Sequence, residues 1–415
     1  MGRFSHISDV HLGAFNDPYL RKRNIDSFIW ALEKSLEKNV DFIIISGDLF
    51  NTPIPDVPQI TNAIKKMREI VERDIKIYAI YGSHDYSVTG SSIYSILVAA
   101  GIISDLHRSR EDNGKIVLEP VVDDKTGAYI YGMYARKGAM ESEIFEKITI
   151  NPPSDVFKIF AFHSAISGIS KDMQFNMPEI PISYIPKNMD YYAGGHIHER
   201  IEMDLPEYGK IVYPGPLFAS TFVDLEKIAK GGSCGFYIVD FSKGINKIEF
   251  IENEIIRPEL VEINANGKIP EEIMREAISR IEALQLDGRY LLLKIWGELS
   301  SGRTSEVDRK KLIEIVKKKN AAGININVSQ LTSREFKGIE ITNRNQGNIE
   351  LEIFEKFLKQ YGGKNESLIG ERGKNIAISL LNLLRIEKND NESGPDFKNK
   401  IINATGKIIG EEEWK

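Results

Sequence analysis

The sequence predicts an α/β protein in three parts: a layered β-sandwich flanked by helices, a smaller α/β capping domain and a helical C-terminal tail. Strands and helices alternate over residues 4–100, a pattern typical of parallel strands covered by helices. Strands then dominate residues 127–251, which indicates a second sheet packed on the first. Beyond residue 257, helical and strand patterns mix again. We therefore expect domains at 1–254, 255–341 and 349–415.

The first sheet is predicted by a strand–helix–strand pattern that repeats. Ile25, Phe28 and Leu32 fall on one face of the first helix, and Gly101 ends the third. In chain order the predicted elements are a strand at 4–10, a helix at 24–38, a strand at 42–46, a helix at 59–73, a strand at 76–81 and a helix at 91–100. Ligands of such sheets gather beyond the carboxyl ends of the strands, so we expect the functional loops directly after them.

The later elements follow the same two periodicities. Strands of the second sheet are predicted at 128–134, 158–162, 210–213 and 234–240. The capping domain contains a predicted helix at 270–284, a strand at 290–296, a helix at 304–319 and a strand at 324–328. The tail contains amphipathic segments at 351–361 and 374–386 and a weak helix at 397–409.

The composition narrows the class of protein. The chain carries 54 Lys and Arg against 60 Asp and Glu, a formal net charge of -6, which excludes a basic nucleic-acid-coating protein but not a local DNA-binding patch. A single cysteine, Cys234, excludes a disulfide scaffold and a thiolate metal cage and fits a reducing compartment. Because the sequence has neither a long apolar run nor a secretory signal, we expect a cytoplasmic protein without membrane contact.

Residues of the types that bind metals follow the predicted strands. Five of the seven histidines fall at such positions, and the spacing of two residues within two of the pairs lets both side chains face one way. The candidates are Asp9 and His11 after the first strand, Asp48 after the second, His84 and Asp85 after the third, His163 after the strand at 158–162, and His196 with His198 in GGHIH.

The mixture of carboxylate and imidazole indicates two-metal chemistry. Ligand sets without thiolate suit manganese, iron or zinc, and a carboxylate such as that of Asp48 can bridge two ions about 3.5–4 Å apart. Two cations can generate a hydroxide nucleophile and offset the charge of a phosphate under attack. The sequence therefore predicts hydrolysis of a phosphate ester.

These residues also carry a family resemblance. In order, the chain has Asp9-Val-His11, Gly47-Asp48-Leu-Phe-Asn51, Gly82-Ser83-His84-Asp85, His163 and Gly195-His196-Ile-His198, which together resemble the calcineurin-like metallophosphoesterases. Within that superfamily, the GDLF wording, YYAGGHIH, the Tyr213-Pro214-Gly215 block and GFYIVDF at 235–241 are similar to the archaeal meiotic-recombination-eleven nucleases of double-strand-break repair. The resemblance covers the first domain and, more weakly, the capping domain.

The resemblance implies a function and roles for individual residues. It implies a manganese-dependent DNA nuclease, a 3'-to-5' exonuclease on double strands and an endonuclease on single strands, that forms a homodimer and works with a Rad-fifty type coiled-coil ABC ATPase. It assigns one manganese ion to Asp9, His11, Asp48 and His198 and the second to Asp48, Ser83, His163 and His196. His84 is left without a metal, as the general acid or transition-state stabiliser.

Two residues depart from the family pattern. Ser83 stands where most relatives have Asn, which weakens a ligand of the second ion, and Asn51 stands where many have His, which can remove a DNA or phosphate contact. Asp85 either orients a neighbouring residue or is a solvated turn carboxylate. Arg21, Lys22 and Arg23 either grip DNA phosphates or form a solvated face, and His6 is expected to pack in the core.

Two further surfaces are expected from apolar stripes. Ile60, Ile64, Ile93 and Leu97 are the candidates for a four-helix dimer contact, which the resemblance implies, unless they only cover the sheet. In the tail, Phe354, Phe357, Leu380 and Leu384 recur at helical spacing and are the candidates for binding the ATPase, unless they pack back on the capping domain.

Two other functions stay open on the sequence. A capping domain that closes the site against polymers would make the protein a metallophosphoesterase of small phosphodiesters or nucleotides. A metal site eroded by Ser83 would leave a scaffold without catalysis.

Overall fold

The computed structural model describes residues 1–87, 92–135, 140–169, 179–334, 370–386 and 394–409. The chain forms two compact units. The first comprises Met1–Ala265, Glu271–Gly297 and Val307–Leu331, and the second comprises Asn266–Pro270, Glu298–Glu306 and Thr332–Lys415.

The elements alternate as the sequence predicts. In chain order the strands are β1 (Gly2–Ile7), β2 (Phe42–Ser46), β3 (Lys76–Ile80), β4 (Ser104–Asp105), β5 (Ser109–Asp112), β6 (Lys115–Leu118), β7 (Val121–Val122), β8 (Tyr129–Met133), β9 (Ile148–Thr149), β10 (Lys158–His163), β11 (Ala165–Ile166), β12 (Glu179–Ile180), β13 (Tyr191–Gly195), β14 (Ile201–Asp204), β15 (Lys210–Tyr213), β16 (Gly235–Phe241), β17 (Ile245–Glu252), β18 (Glu259–Asn264), β19 (Tyr290–Leu299), β20 (Gly323–Asn327) and β21 (Leu331–Ser333). The helices are α1 (Pro18–Glu37), α2 (Val57–Glu72), α3 (Ile93–Ala99), α4 (Met140–Glu146), α5 (Phe222–Ala229), α6 (Pro270–Ala283), α7 (Arg309–Lys318), α8 (Gly370–Leu384) and α9 (Gly394–Ile409).

The first sheet has the strand order β17-β16-β1-β2-β3-β4. Strands β1 to β4 are parallel, whereas β16 and β17 add to the β1 edge as an antiparallel hairpin. The prediction that residues 234–240 belong to the second sheet is therefore wrong. The chain returns to pair Gly2–His6 with Tyr237–Phe241, a non-local pairing that periodicity cannot encode.

The second sheet, in the order β14-β15-β13-β10-β8-β7, packs on the first as predicted. Side chains from both sheets form one buried core, including Phe4, Phe42 and Tyr78 from the first and Ile159 and Tyr191 from the second. Strands β1, β2 and β3 are parallel within the first sheet, and β10 and β13 are parallel within the second. Residues at or just after the carboxyl ends of strands from both sheets lie close together, as Asp48, His163 and His196 show.

Helices α1, α2 and α3 cover the outer face of the first sheet. Ile60 of α2 is fully buried and Leu97 of α3 is almost so, both within the core below the helices, whereas Ile64 and Ile93 are half-buried. Ile60 and Leu97 therefore stabilise the helix–sheet packing and are not available to a partner. On these two residues, the expectation of a dimer contact is wrong, because the inward apolar stripe of an amphipathic helix belongs to its own core.

The strands β18 to β21 form a four-stranded sheet, smaller than the two six-stranded sheets that precede it. Strands β18, β19 and β20 lie parallel in that order, and α7 ends in the Lys317–Lys319 run. In the tail, α8 and α9 contact each other. Leu380 of α8 is half-buried and Leu384 is exposed, while Phe354 and Phe357 lie outside the described residues. None of the helices described combines the length and hydropathy that crossing a membrane requires.

Candidate metal centre

The candidate ligands lie on loops that backbone hydrogen bonds fasten together. The His11 amide donates to the Asp48 carbonyl at 2.9 Å, and the Leu12 amide donates to the Leu49 carbonyl at 2.9 Å. The loops after β1 and β2 thus run side by side beyond the strand ends. This pairing brings Asp9, His11 and Asp48 to one place although 37 positions separate His11 from Asp48 (48 minus 11).

The backbone at the candidate ligands is unusual. Asp9, His11, Asp48 and His196 have φ values of 49°, 48°, 50° and 87°, in the left-handed region that residues other than glycine rarely adopt. Each such residue costs of the order of 1–3 kcal/mol and persists where the surrounding structure dictates it. The sharp turns allow successive side chains to point at one centre.

Three overlapping trios of side chains can each hold a cation. Within each trio the ligand atoms lie within 4.8 Å of one another, and the trios are Asp9 with His11 and His198, His11 with Asp48 and His84, and Asp48 with His163 and His196. The Asp48 carboxylate oxygen Oδ2 lies 3.2 Å from His163 Nε2 and 3.7 Å from His11 Nε2. Asp48 is thus the carboxylate placed between two sites. The donors are carboxylate oxygens and imidazole nitrogens, a set that fits a pair of divalent cations.

Glycine makes this close approach possible. A Cβ atom on Gly82 would clash with the Asp48 amide and carboxylate, and one on Gly195 would clash with the Ser46 carbonyl and the His163 ring. The glycines of the Gly82-Ser83-His84-Asp85 and Gly195-His196-Ile-His198 blocks are therefore steric requirements of the centre.

Two of the imidazoles are held by their Nδ1 atoms. His163 Nδ1 donates to the Ser46 carbonyl at 2.8 Å, which leaves Nε2 facing Asp48. His198 Nδ1 lies 3.1 Å and 3.3 Å from the two oxygens of Asp224, which leaves its Nε2 3.2 Å from His11 Nε2. Such partners fix the tautomer and ring orientation of a metal-binding histidine.

Sequence reasoning missed Asp224. It lies at the first turn of α5, where it accepts hydrogen bonds from the backbone amides and hydroxyls of Ser220 and Thr221 at 2.9–3.1 Å. Thr221 in turn caps the helix, so that the two residues form a capping box. The capping box was the one available signal, but nothing local says that a helix 26 positions after His198 returns to it.

Burial and mutual charge shift the pKa values of these groups in opposite directions. Burial raises the pKa of Asp9, whereas at Asp48 the neighbouring His163 outweighs burial and holds the carboxyl pKa far below its usual range. Burial lowers the pKa of His163, but the Asp48 and Asp9 charges overcome it and raise the value to about 10. Burial lowers the pKa of His11 and His196 to about 3, so their lone pairs are available to a cation. A cation held beside Asp48 would take the place of the His163 proton, so its binding would release a proton.

His84 differs from the other histidines because its side chain is exposed at the rim. Its Nδ1 atom lies 2.9 Å from the Asn51 carbonyl oxygen, and its ring meets the His11 ring edge to face at 4.9 Å. The carbonyl can only accept a hydrogen bond, so Nδ1 carries a proton and Nε2 is the ring nitrogen that a substrate could contact. Asn51 therefore contributes through its backbone, which its side-chain identity did not reveal.

Asp85 is fully buried and not a solvated turn residue. Its carboxylate accepts hydrogen bonds from the backbone amides of Leu49 at 3.2 Å, Phe50 at 2.8 Å and Gly82 at 3.0 Å. Burial, and then the Asp48 charge, raise its pKa to about 7. Asp85 thus ties the loop after β2 to the loop after β3 and orients the backbone around Asp48 and His84.

Ser83 and the basic cluster have local contacts. The Ser83 hydroxyl donates to Asp48 Oδ2 at 3.4 Å, the oxygen that also faces His163. Arg21 donates to the carbonyls of Phe15 and Asn16, and Lys22 pairs with Asp26 at 2.8 Å, with Arg23 3.6 Å from the same carboxylate. These contacts order the start of α1, and DNA contact by the three residues stays a prediction.

His6 is a core residue, as expected. It is fully buried between Tyr191, whose hydroxyl lies 2.9 Å from Nδ1, and Ser46, whose hydroxyl lies 2.8 Å from Nε2.

Comparisons with known proteins show what the chain is similar to. Residues 2–200 match the family model of the calcineurin-like phosphoesterases. The DNA double-strand break repair protein Mre11 of Archaeoglobus fulgidus is 26% identical over 411 residues, which cover 94% of this chain and 82% of that protein. Mre11 of Methanocaldococcus jannaschii is 30% identical over 294 residues, covering 67% of this chain and 73% of the relative. A solved dimetal phosphatase from Danio rerio aligns with a TM-score of 0.35 at 10% identity, covering 62% of this chain and 97% of that one.

The fold and the residues at its centre define a calcineurin-like metallophosphoesterase, a hydrolase of phosphate esters that depends on divalent metal. Within that class, the chain belongs to the Mre11 family. The resemblance inferred from the motifs is thereby confirmed.

Proposed function

We propose that the protein is a manganese-dependent DNA nuclease of double-strand-break repair, with 3'-to-5' exonuclease activity on double strands and endonuclease activity on single strands. The observation that carries this proposal is the cluster of three overlapping trios, two of which share Asp48 and one of which includes the exposed His84. The relatives that match most of this chain are named as double-strand break repair proteins, which supports DNA as the substrate.

The residues of the chain divide the work of hydrolysis. Bound at this cluster, two divalent cations would supply an activated water and charge stabilisation for the phosphate. Asp9, His11, Asp48 and His198 would hold one ion, and Asp48, Ser83, His163 and His196 the other. In its doubly protonated form His84 would donate the Nε2 proton to the leaving sugar oxygen and become the neutral imidazole, while the Asn51 carbonyl keeps Nδ1 protonated and the ring oriented.

The test compares two substitutions on a 3'-labelled duplex with manganese. Asp48→Ala should lose bound metal and cleavage together. His84→Ala should retain metal, measured by calorimetric titration, and slow cleavage about 10²–10⁴-fold, because an acid contributes to the transition state alone. Asp308→Asn, which changes an exposed carboxylate of α7, is the matched control and should alter neither quantity.

Three outcomes distinguish the candidates. A His84→Ala protein with a near-normal rate on DNA would contradict the acid role. Hydrolysis of bis(p-nitrophenyl) phosphate without cleavage of any DNA would favour a small-phosphodiester enzyme. Failure of the wild type to bind manganese at all would favour the scaffold.

The proposal includes a second copy of the chain as a partner. Ile96 on the outer side of α3 is 61% exposed, and Ile54 and Val57, just before and at the start of α2, are also exposed. With half-buried Ile64 and Ile93, these residues supply an apolar face of the kind that a homodimer covers.

The proposal also assigns the tail to a Rad-fifty type coiled-coil ATPase. Leu384 on α8 is 74% exposed and Ile402 on α9 is exposed as well, which suits helix docking in a partner groove. We keep the division into a nuclease domain at 1–254, a capping domain at 255–341 and a tail at 349–415 as part of this proposal. A cytoplasmic location is proposed from the single, buried and inert Cys234.

A further inference from the structure

A pocket adjoins the loop that carries His84. Its cavity has a volume of about 280 Å³ and is lined by Tyr81, Tyr86, Ser87, Ser92, His107 and Tyr134. Tyr81 immediately precedes the Gly82-Ser83-His84-Asp85 block and Tyr86 immediately follows it. The loop that carries His84 therefore forms one shared wall between the centre and this pocket.

The aromatic walls of the pocket are held rigidly. The Tyr81 ring meets the Tyr134 ring edge to face at 4.8 Å, and His107 stacks on Tyr134 with 4.2 Å between ring centroids. The Tyr81 hydroxyl contacts the Ser95 hydroxyl at 2.6 Å, and the Tyr134 hydroxyl donates to Asp105. The backbone joins the two walls as well, because the Ala135 amide donates to the Tyr81 carbonyl at 3.1 Å. Rings fixed in this way give a binding surface that needs little ordering when a ligand arrives.

Tyr86 stands at the mouth of the pocket. It is 39% exposed, and among the described residues no other aromatic ring stacks on it. Its neighbour Asp85 is anchored to three backbone amides, so the start of this segment is fixed in place. Tyr86 thus offers an aromatic face to solvent on a well-supported backbone.

We propose that this pocket binds one unpaired nucleobase of the DNA substrate, next to the phosphate that is cleaved. A cavity of 280 Å³ is at the small end of ligand sites, roughly 300–1,000 Å³, and so suits a single planar ring system. Aromatic side chains stack on bases, and Tyr86 presents an exposed ring for such stacking. Because the His84 loop is a wall of both the centre and the pocket, the base that flanks a phosphodiester at the centre is the substrate group that we assign to the pocket. The inference rests on the proposed DNA nuclease function.

The consequence is a preference for substrates in which the end or the strand is unpaired. A base can enter the pocket only after it leaves its stack in the duplex, which costs least where the strand is already single or frayed. Since every base has a π face, the pocket should tolerate all four bases.

The test uses short single-stranded oligonucleotides that carry one abasic site, moved one nucleotide at a time, and measures affinity by fluorescence anisotropy in calcium. In the wild type, an abasic site at one position should weaken binding roughly tenfold, while the other positions have small effects. Tyr86→Ala should abolish that positional penalty. Tyr86→Phe is the matched control, because it keeps the ring, and should retain the penalty.

Two results would overturn the subsite. One is a wild-type penalty that is equal at all positions, and the other is a positional penalty that survives in Tyr86→Ala with an unchanged melting temperature. Cleavage of the intact oligonucleotide with manganese, measured in parallel, separates this from the function itself. If the oligonucleotide is cleaved but an abasic site weakens binding equally at every position, the subsite alone is refuted. If the protein neither binds nor cleaves it, the nuclease proposal is refuted as well.

Discussion

Asp224 offers the sharpest test of how the centre is built, through the substitution Asp224→Asn. One carboxylate oxygen, Oδ2, accepts four hydrogen bonds from Ser220 and Thr221, and the other, Oδ1, lies 3.1 Å from His198 Nδ1. An asparagine has one acceptor oxygen and one NH₂ group. The four donors will hold the oxygen, so the NH₂ group will face His198 Nδ1.

That arrangement reverses the tautomer of His198. Nδ1 must then accept a hydrogen bond, so the proton moves to Nε2, the atom that faces Asp9 at 3.8 Å and His11. A cation has to displace this proton before it binds. Loss of such a partner typically costs 10–100-fold in metal affinity, or about 1.4–2.7 kcal/mol, and we expect the upper part of that range. Because Thr221 still caps α5 and the Asn oxygen can still accept from the Thr221 amide, unfolding free energy should fall by only about 1 kcal/mol.

The assay is calorimetric titration of the purified protein with manganese at neutral pH, together with thermal unfolding in the presence of a chelator. Asp308→Asn is the matched control, because Asp308 caps α7 through the Lys311 amide at 3.0 Å with no imidazole beside it. Asp224→Asn should weaken metal binding far more than Asp308→Asn, while both lose similar stability. Equal metal affinity in wild type and Asp224→Asn would refute the reasoning.

Two further predictions concern Ser83 and His6. Ser83→Asn should lower the manganese concentration that gives half-maximal nuclease activity, because the amide oxygen reaches further than the hydroxyl, which lies 3.4 Å from Asp48. Ser83→Ala should change that concentration little. A Ser83→Ala protein without activity or second-ion binding would show that the serine is an essential ligand. Burial lowers the pKa of His6 from 6.5 to about 3. Below pH 6.5 His6 therefore binds a proton in the unfolded chain but stays neutral in the folded protein. The free energy of unfolding is thus fully retained above pH 6.5 and is about 2 kcal/mol lower near pH 5. His6→Gln should flatten the dependence of unfolding free energy on pH between these values in chelator, and an unchanged slope would contradict the assignment.

The clustering of the candidate ligands could be predicted because its signal is local. A strand followed by Asp9 and His11, or by His196 and His198, identifies a functional loop from a few residues, since carboxyl ends of parallel strands meet at one edge. The alternation of strands and helices likewise predicted the parallel strands of the first sheet, and the strand-rich stretch that follows predicted a second sheet packed on it, apart from residues 234–240, which joined the first. These features depend on short-range periodicity, which the sequence displays directly.

Other features depend on contacts between distant segments and needed the tertiary structure. Asp224 reaches His198, the Asn51 carbonyl meets His84, and Asp85 is buried among backbone amides of the loop after β2. Their side chains are ordinary polar residues in sequence, and a backbone carbonyl has no sequence signal at all. The sequence also does not show which way the apolar stripe of a helix faces. Only the structure places Ile60 and Leu97 in the core of their own chain.

The sequence by itself determined the chemistry of the centre, because metal binding and phosphate hydrolysis require particular side chains at fixed spacing. Only the tertiary structure decided how those side chains are oriented, that is, which nitrogen of each imidazole faces the centre. It also decided which pocket shares the His84 loop with the centre. The physical reason is that orientation is set by hydrogen bonds and packing between loops that pairings such as those of β1 with β2 and β16 bring together.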